Sequence, residues 1–141
     1  GIEIAFTTTA VVMAQTFVAS PFFIRAAKAG FEAVPQDLED VARTLGSSRS
    51  SAFFRVAIPV AAPSLMAGAV MAWARALGEF GATIMFAGSF PGRTQTVPLA
   101  IYRQLETGVE APLALSAVLV VISFAVLLAF RLLMRRAAFT L

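Results

Sequence analysis

Hydrophobic and polar positions along this chain alternate in long blocks. Residues 4–24 carry no charge, with Thr7, Thr8, Thr9, Gln15, Thr16 and Ser20 scattered among apolar neighbours. About twenty such residues in a helix cross the apolar core of a bilayer, so this block predicts a first membrane span. Pro21 near its end is a candidate kink, and Arg25 and Lys28 follow as a basic flank. Residues 59–88 form a second apolar block, interrupted by Arg75 and Glu79, and predict one long or broken span. A third span is predicted over 112–133, where an unbroken Leu-, Val- and Ala-rich run ends in Arg131, Arg135 and Arg136. The fold class expected is an all-α membrane protein of about three spans.

Between the first two spans, residues 37–59 change character. Leu38, Val41, Ala42 and Leu45 fall at i, i+3, i+4 and i+7, placing an apolar stripe on a short helix whose other faces carry Glu39, Asp40, Arg43 and Thr44. Such a helix has a buried side and a wet side. Asp37 is expected to cap it, and Glu39 and Asp40 put negative charge at the positive end of its dipole. Gly46 supplies a left-handed stop, Ser47 or Ser48 a cap for a second short helix leading into Phe53, Phe54 and Val56, and Pro59 the end of the interval. Residues 90–110 form another polar interval, opening on Pro91-Gly92 and holding an amphipathic piece over 97–105 that is expected at the interface.

Composition strengthens the membrane reading. The chain is 59% hydrophobic and 13% charged, with a mean hydropathy of +0.83, outside the range of ordinary soluble domains. Cysteine and histidine are absent, which removes disulfides, thiolate metal sites and imidazole chemistry, so no metal ligand set is expected. The net charge of +3 comes from basic residues set between and after the apolar runs, without a nucleic-acid-like patch. They read as orientation signals. Arg25, Lys28, Arg43, Arg49 and Arg55 follow the first span and three arginines follow the last, against only Arg93 and Arg103 in the 90–110 interval. Residues 37–59 and the C-terminus are therefore expected in the cytoplasm, with Gly1 and the 90–110 loop outside. The chain opens at Gly1 without Met or a charged leader and reads as a piece, 1–141, of one longer membrane domain.

Two charges inside the second apolar block need a reason. Arg75 and Glu79 would each cost roughly 2.5–3.5 kcal/mol at the bilayer centre on insertion scales, and such residues rarely face lipid. Four residues apart, they are expected to pair along one helix face, either lining a wet pathway or fixing the packing between spans. Gly78 and Gly81 allow close backbone approach or a local break, and Gly68, Ala72 and Ala76 form a ridge of small residues suited to a narrow gate between two copies of this helix. No G-x-x-x-x-G-K-[ST] phosphate loop exists, Gly92-Arg93-Thr94 being a superficial echo, so the energy for any transport is expected from a partner.

Two motifs carry a family resemblance. Asp40-Val41-Ala42, three residues, Gly46, nine residues, Val56-Ala57-Ile58-Pro59 resembles the cytoplasmic E-A-A, three residues, G, nine residues, I-x-L-P motif of permease subunits in binding-protein-dependent ATP-binding-cassette (ABC) importers. The spacing matches throughout, with mild substitutions and with Gly46 and Pro59 intact. The second runs Arg75-Ala76-Leu77-Gly78-Glu79-Phe80-Gly81-Ala82-Thr83, continuing through Thr94-Gln95-Thr96 and Pro98-Leu99-Ala100-Ile101-Tyr102. It is similar to the molybdate-type permeases of that family, with tungstate and sulfate permeases close behind.

The resemblance implies that region 36–55 forms coupling helices docking on an ABC ATPase subunit, with Glu39, Asp40, Ala42, Arg43, Leu45, Gly46, Ser47, Phe54 and Pro59 at the contact. It further implies a second permease copy, an extracytoplasmic substrate-binding protein, a multi-pass place in the lipid of a bacterial or archaeal cytoplasmic membrane, and ATP with magnesium on the partner alone. Arg75, Gly78, Glu79, Phe80, Gly81 and Thr83 are expected along the pathway near its gate. Pro91, Gly92, Arg93, Thr94 and Gln95 are expected to meet the binding protein. Two rivals come from other classes. A membrane enzyme with Glu79 as base and Arg75 as anion clamp lacks a second titratable partner in the bilayer. A non-transporting structural subunit has little use for charge at that depth.

Overall fold

The computed structural model describes residues 4–138, with side chains to residue 133. Among these the chain is helical, without strands: α1 Thr8–Glu32, α2 Gln36–Thr44, α3 Arg49–Ala52, α4 Ile58–Leu77, α5 Gly81–Ala87, α6 Val97–Gln104 and α7 Glu110–Ala138. The all-α expectation holds. Three stretches of the described residues, Thr8–Glu32, Arg49–Leu77 and Glu110–Leu133, are long and apolar enough to cross a membrane. Their apolar surface is largely uncovered in the single chain, with Phe17 81% and Phe124 70% exposed, as suits helices whose surroundings are lipid or other helices.

Helix boundaries differ from the sequence expectation where local hydrogen bonding decides them. Residues 4–7 are not helical; α1 begins at Thr8 because the Thr7 hydroxyl accepts the Ala10 N–H at 3.3 Å. Pro21 does not end the helix, which continues through Arg25 and Lys28 to Glu32. The stop comes at Pro35, which disfavours helix at Val34 before it. Pro59 likewise does not close the preceding interval. From Arg49 the chain stays helical through a wide π turn, Phe53–Ala57, where the Ile58 N–H bonds the Phe53 carbonyl, and α4 follows without interruption. A proline supplies no amide, and the widened turn directly before it absorbs that mismatch.

Contacts divide the chain into two compact units. The unit of residues 20–72 holds the end of α1, α2, α3 and most of α4. Here α1 and α4 approach so closely that a Cβ on Gly30 would come within 2.6 Å of the Ser64 Cβ, and one on Gly68 within 2.6 Å of the Ala26 Cβ. Gly68 thus meets α1, and the small-residue ridge expected to face a second copy is partly taken inside the chain. Below this crossing, Val34, Ala57 and Ala61 form a small core with Phe31 and Leu65 against it, and Phe31 stacks on Phe53 at 5.6 Å.

The other unit joins the start of α1 to α5, α6 and α7. Ala10, Val11 and Ala87 form its buried cluster. The Phe6 N–H bonds the Phe86 carbonyl at 3.3 Å, and the Phe6 ring meets Phe90 edge-on at 6.1 Å. Gly88, at φ +67, lies beneath these two rings, where a Cβ would be 3.0 Å from Phe90. Helix α6 packs against α7.

Candidate functional site

The elbow between α2 and α3 is built by its own backbone. The Gly46 N–H bonds the Arg43 carbonyl and the Ser47 N–H the Ala42 carbonyl, both at 3.0 Å, with Gly46 at φ +90. This crossed pair is the Schellman stop, and it requires a residue without a Cβ penalty at position 46. Ser48, rather than Ser47, caps α3, its Oγ accepting the Ser51 N–H at 3.3 Å. Asp37 does not cap α2: the cap position is Pro35, whose fixed φ of −62 starts the helix, and Asp37 with Glu39 lies in the first turn.

The expected buried side of α2 is not buried in this chain. Leu38, Val41 and Leu45 are 44%, 56% and 83% exposed, and no α2 residue is fully enclosed. Among the described residues α3 and the wide turn make the main contacts to α2, and they leave its apolar stripe uncovered. Glu39, Ala42 and Ser47 are half-buried, whereas Asp40, Arg43, Gly46, Phe54 and Pro59 are exposed. Asp40 and Arg43 are 3.9 Å apart, and with Thr44, Ser47, Ser48 and Arg49 they line a shallow polar notch at the elbow. An exposed apolar stripe beside a polar notch is the layout of a helix that lays one face into a groove.

At the second apolar block the helix breaks. Helix α4 ends at Leu77 and α5 starts at Gly81, so Arg75 and Glu79 do not share a helix face. They bridge the break. Glu79 is only 4% exposed; its Oε1 accepts the Ala82 N–H at 2.8 Å, and its Oε2 lies 2.8 Å from Arg75 Nη1. One carboxylate therefore caps the new helix and neutralises the arginine. Gly78 and Gly81 make no close approach, since an added Cβ would find nothing nearer than 3.8 Å and 4.0 Å respectively. Phe80 meets Tyr102 edge-on at 5.1 Å. Thr83 is fully buried, its Oγ1 without a hydrogen-bond partner. Arg75, with 39% of its side chain exposed, keeps guanidinium N–H groups beyond the one aimed at Glu79, enough for an anion.

The turn over residues 90–95 is tied to the same unit. The Phe90 carbonyl accepts the N–H groups of Arg93, Thr94 and Gln95 at 3.0–3.1 Å, and the Phe90 N–H bonds Thr94 Oγ1 at 3.1 Å. Thr8 Oγ1 donates to the Arg93 carbonyl at 3.1 Å. Pro91, Gly92 and Arg93 are exposed and Gln95 is half-buried, but Thr94 is 2% exposed. Thr94 thus holds the turn from within and offers no surface to a partner, correcting its place among the contact residues. Two positions that sequence reasoning left without a role help fix this region: Arg103 Nη1 donates to the Ser89 carbonyl at 3.1 Å, and Leu99 is fully buried. The P-L-A-I-Y run held the signal, since Leu99 and Tyr102 lie three apart on one face of α6.

The family model described as binding-protein-dependent transport system inner membrane component matches residues 3–139. The molybdenum transport system permease protein ModB of Mycobacterium tuberculosis is 47% identical over 128 residues, 91% of this chain and 48% of that protein. ModB of Escherichia coli K12 is 42% identical over 107 residues, 76% of this chain and 47% of that protein. The molybdate/tungstate transport system permease protein WtpB of Pyrococcus abyssi is 38% identical over 127 residues, 90% of this chain and 50% of that protein. The chain spans about half the length of these curated relatives. With its helical architecture, membrane-length apolar helices and glycine-stopped elbow, it belongs to the family of binding-protein-dependent transport system inner membrane components.

Proposed function

We propose that this chain is part of an ABC importer permease that carries molybdate, or the related tungstate or sulfate, inward across the cytoplasmic membrane by alternating access. The observation that carries the reading is α2, an amphipathic helix between two membrane-length helices whose apolar stripe stays exposed beside a rigid elbow. That arrangement supports docking of a separate ATPase subunit, which hydrolyses ATP while this chain only conducts. The Lys and Arg distribution supports a cytoplasmic elbow and C-terminus. A second permease copy completes the pathway, and an extracytoplasmic binding protein meets Pro91, Gly92, Arg93 and Gln95. The names of the ModB and WtpB relatives support the oxyanion class.

In this reading the α4–α5 break lines the gate. Arg75, oriented by Glu79, presents its remaining N–H groups to a tetrahedral dianion, and Gly78, Phe80, Gly81 and Thr83 shape the backbone around it. Arg75→Gln is expected to abolish uptake of labelled molybdate while leaving the ATPase bound, as read by co-purification. Unchanged uptake would remove Arg75 from the pathway. A non-transporting scaffold, the alternative from another class, predicts ATPase binding with no uptake by the unaltered chain.

A further inference from the structure

Among the described residues Phe6 is the one non-glycine residue with a positive φ, at +59. A bulky side chain in the left-handed region is an outlier, and it persists only where its surroundings hold it. What holds Phe6 lies at the end of α5 and in the turn that follows. Its N–H bonds the Phe86 carbonyl at 3.3 Å, and its ring meets Phe90 edge-on at 6.1 Å. Two residues on, Thr8 Oγ1 donates to the Arg93 carbonyl at 3.1 Å. Thr7 sets the bend between these two grips, since its hydroxyl donates to the Ile4 carbonyl at 2.6 Å and accepts the Ala10 N–H at 3.3 Å. Gly88 leaves room for the Phe6 ring, as a Cβ there would stand 3.2 Å from it.

The grip is close to balance. The Phe6 N–H bond is long for its type, the Phe6 ring is 54% exposed, and Thr8 is exposed as well. A left-handed Phe costs about as much as one exposed hydrogen bond and one edge-on ring pair return. A small force on the turn therefore opens the grip, and Phe6 then regains an ordinary negative φ. The buried contact beneath is small, Ala87 with Ala10 and Val11, so residues 6–8 are a substantial part of what ties the end of α5 to α1. Helix α5 is seven residues long, about 10 Å. Phe86 lies near its end and Glu79 caps its start, so a change at the grip reaches the α4–α5 break through one short rigid helix.

We propose that Phe6 and Thr8 form a strained clasp that keeps the end of α5 on α1 in the resting transporter and opens when a binding protein engages the turn over residues 90–95. The inference rests on the import reading above and supplies the step by which an event at that turn reaches the break. The carbonyl that Thr8 holds belongs to Arg93, on the turn that the import reading gives to the binding protein. A contact that rotates this turn takes the acceptor from Thr8 first. Phe6, left with one long bond and one ring contact, then relaxes, and α5 is free to tilt about the break.

The absence of native cysteine makes the test direct. Phe6→Cys and Phe90→Cys would be placed together in the transporter, assembled with its ATPase and binding protein in proteoliposomes, and joined by a short bifunctional thiosulfonate. The cross-link is expected to stop uptake of labelled molybdate, and reductant to restore the uptake that the same variant showed beforehand. Single substitutions separate strain from contact. Phe6→Ala loses the ring and keeps the backbone cost, so the clasp opens without binding protein and basal ATP hydrolysis is expected to rise about tenfold. Phe6→Gly loses the same ring, but glycine adopts the left-handed conformation freely. The bond to Phe86 then survives, and hydrolysis is expected to stay closer to that of the unaltered chain. Uptake that the cross-link leaves unchanged would overturn the proposal, as would equal hydrolysis in Phe6→Ala and Phe6→Gly. Failure of the unaltered transporter to move any oxyanion would instead sink the import reading, a result read before any cross-link is made.

Discussion

Glu79→Ala is expected to cause the largest loss of any single side-chain truncation in this chain, removing both folded transporter and uptake. The carboxylate is 4% exposed and makes two 2.8 Å contacts, one to the Ala82 N–H and one to Arg75. Breaking a fully buried ion pair costs roughly 3–5 kcal/mol; because Arg75 is 39% exposed, about 2–3 kcal/mol is the better figure here. Loss of the cap on α5 adds about 1 kcal/mol. Thermal unfolding of the purified transporter in detergent, with uptake in proteoliposomes, reads the effect. Glu79→Gln separates the two roles, since the amide oxygen still accepts from Ala82 but leaves Arg75 without a counter-charge. It is expected to keep the roughly 1 kcal/mol of the cap, to lose most of the ion pair's share, and to change anion handling. Wild-type stability in Glu79→Ala would show that the α4–α5 break is held by something other than this carboxylate.

The second large effect is expected at Gly46. Its φ of +90 costs any L-residue with a Cβ on the order of 1–2 kcal/mol, although a side chain there would meet nothing within 4 Å inside the chain. Gly46→Ala should therefore weaken the elbow modestly. Gly46→Trp adds bulk on the open side, where the proposed ATPase sits, and is expected to leave the permease folded while ATP hydrolysis no longer drives uptake. Co-purification of the ATPase and stimulation of hydrolysis by loaded binding protein would be measured together. Full coupling in Gly46→Trp would mean that the elbow does not face the ATPase.

These two positions also mark what the sequence made legible. The elbow was readable because a glycine stop and a serine cap are local chemistry, and the structure realises both at Gly46 and Ser48. The apolar stripe of α2 was visible as a period, but periodicity says only that a face needs a partner, and that the partner is another chain belongs to the proposal. Glu79 was noticed for its charge, and its pairing with Arg75 followed from spacing. Its capping of Ala82 did not, because an i, i+4 reading presumes an unbroken helix. Thr94 was misplaced for a similar reason: a threonine in a polar turn reads as surface until its hydroxyl is found on the Phe90 amide. Pro59 shows the limit from the other side. A proline is expected to punctuate, yet one wide turn lets the helix run through it.

Uptake competition tests the oxyanion substrate most directly. The chain, assembled with its ATPase and binding-protein partners in proteoliposomes, would be given labelled molybdate with and without excess tungstate, sulfate, a sugar or an amino acid. ATP-dependent molybdate uptake that tungstate suppresses, and that the sugar and amino acid leave untouched, is the predicted result. Transport of the sugar or the amino acid with no movement of any of the three oxyanions would contradict it.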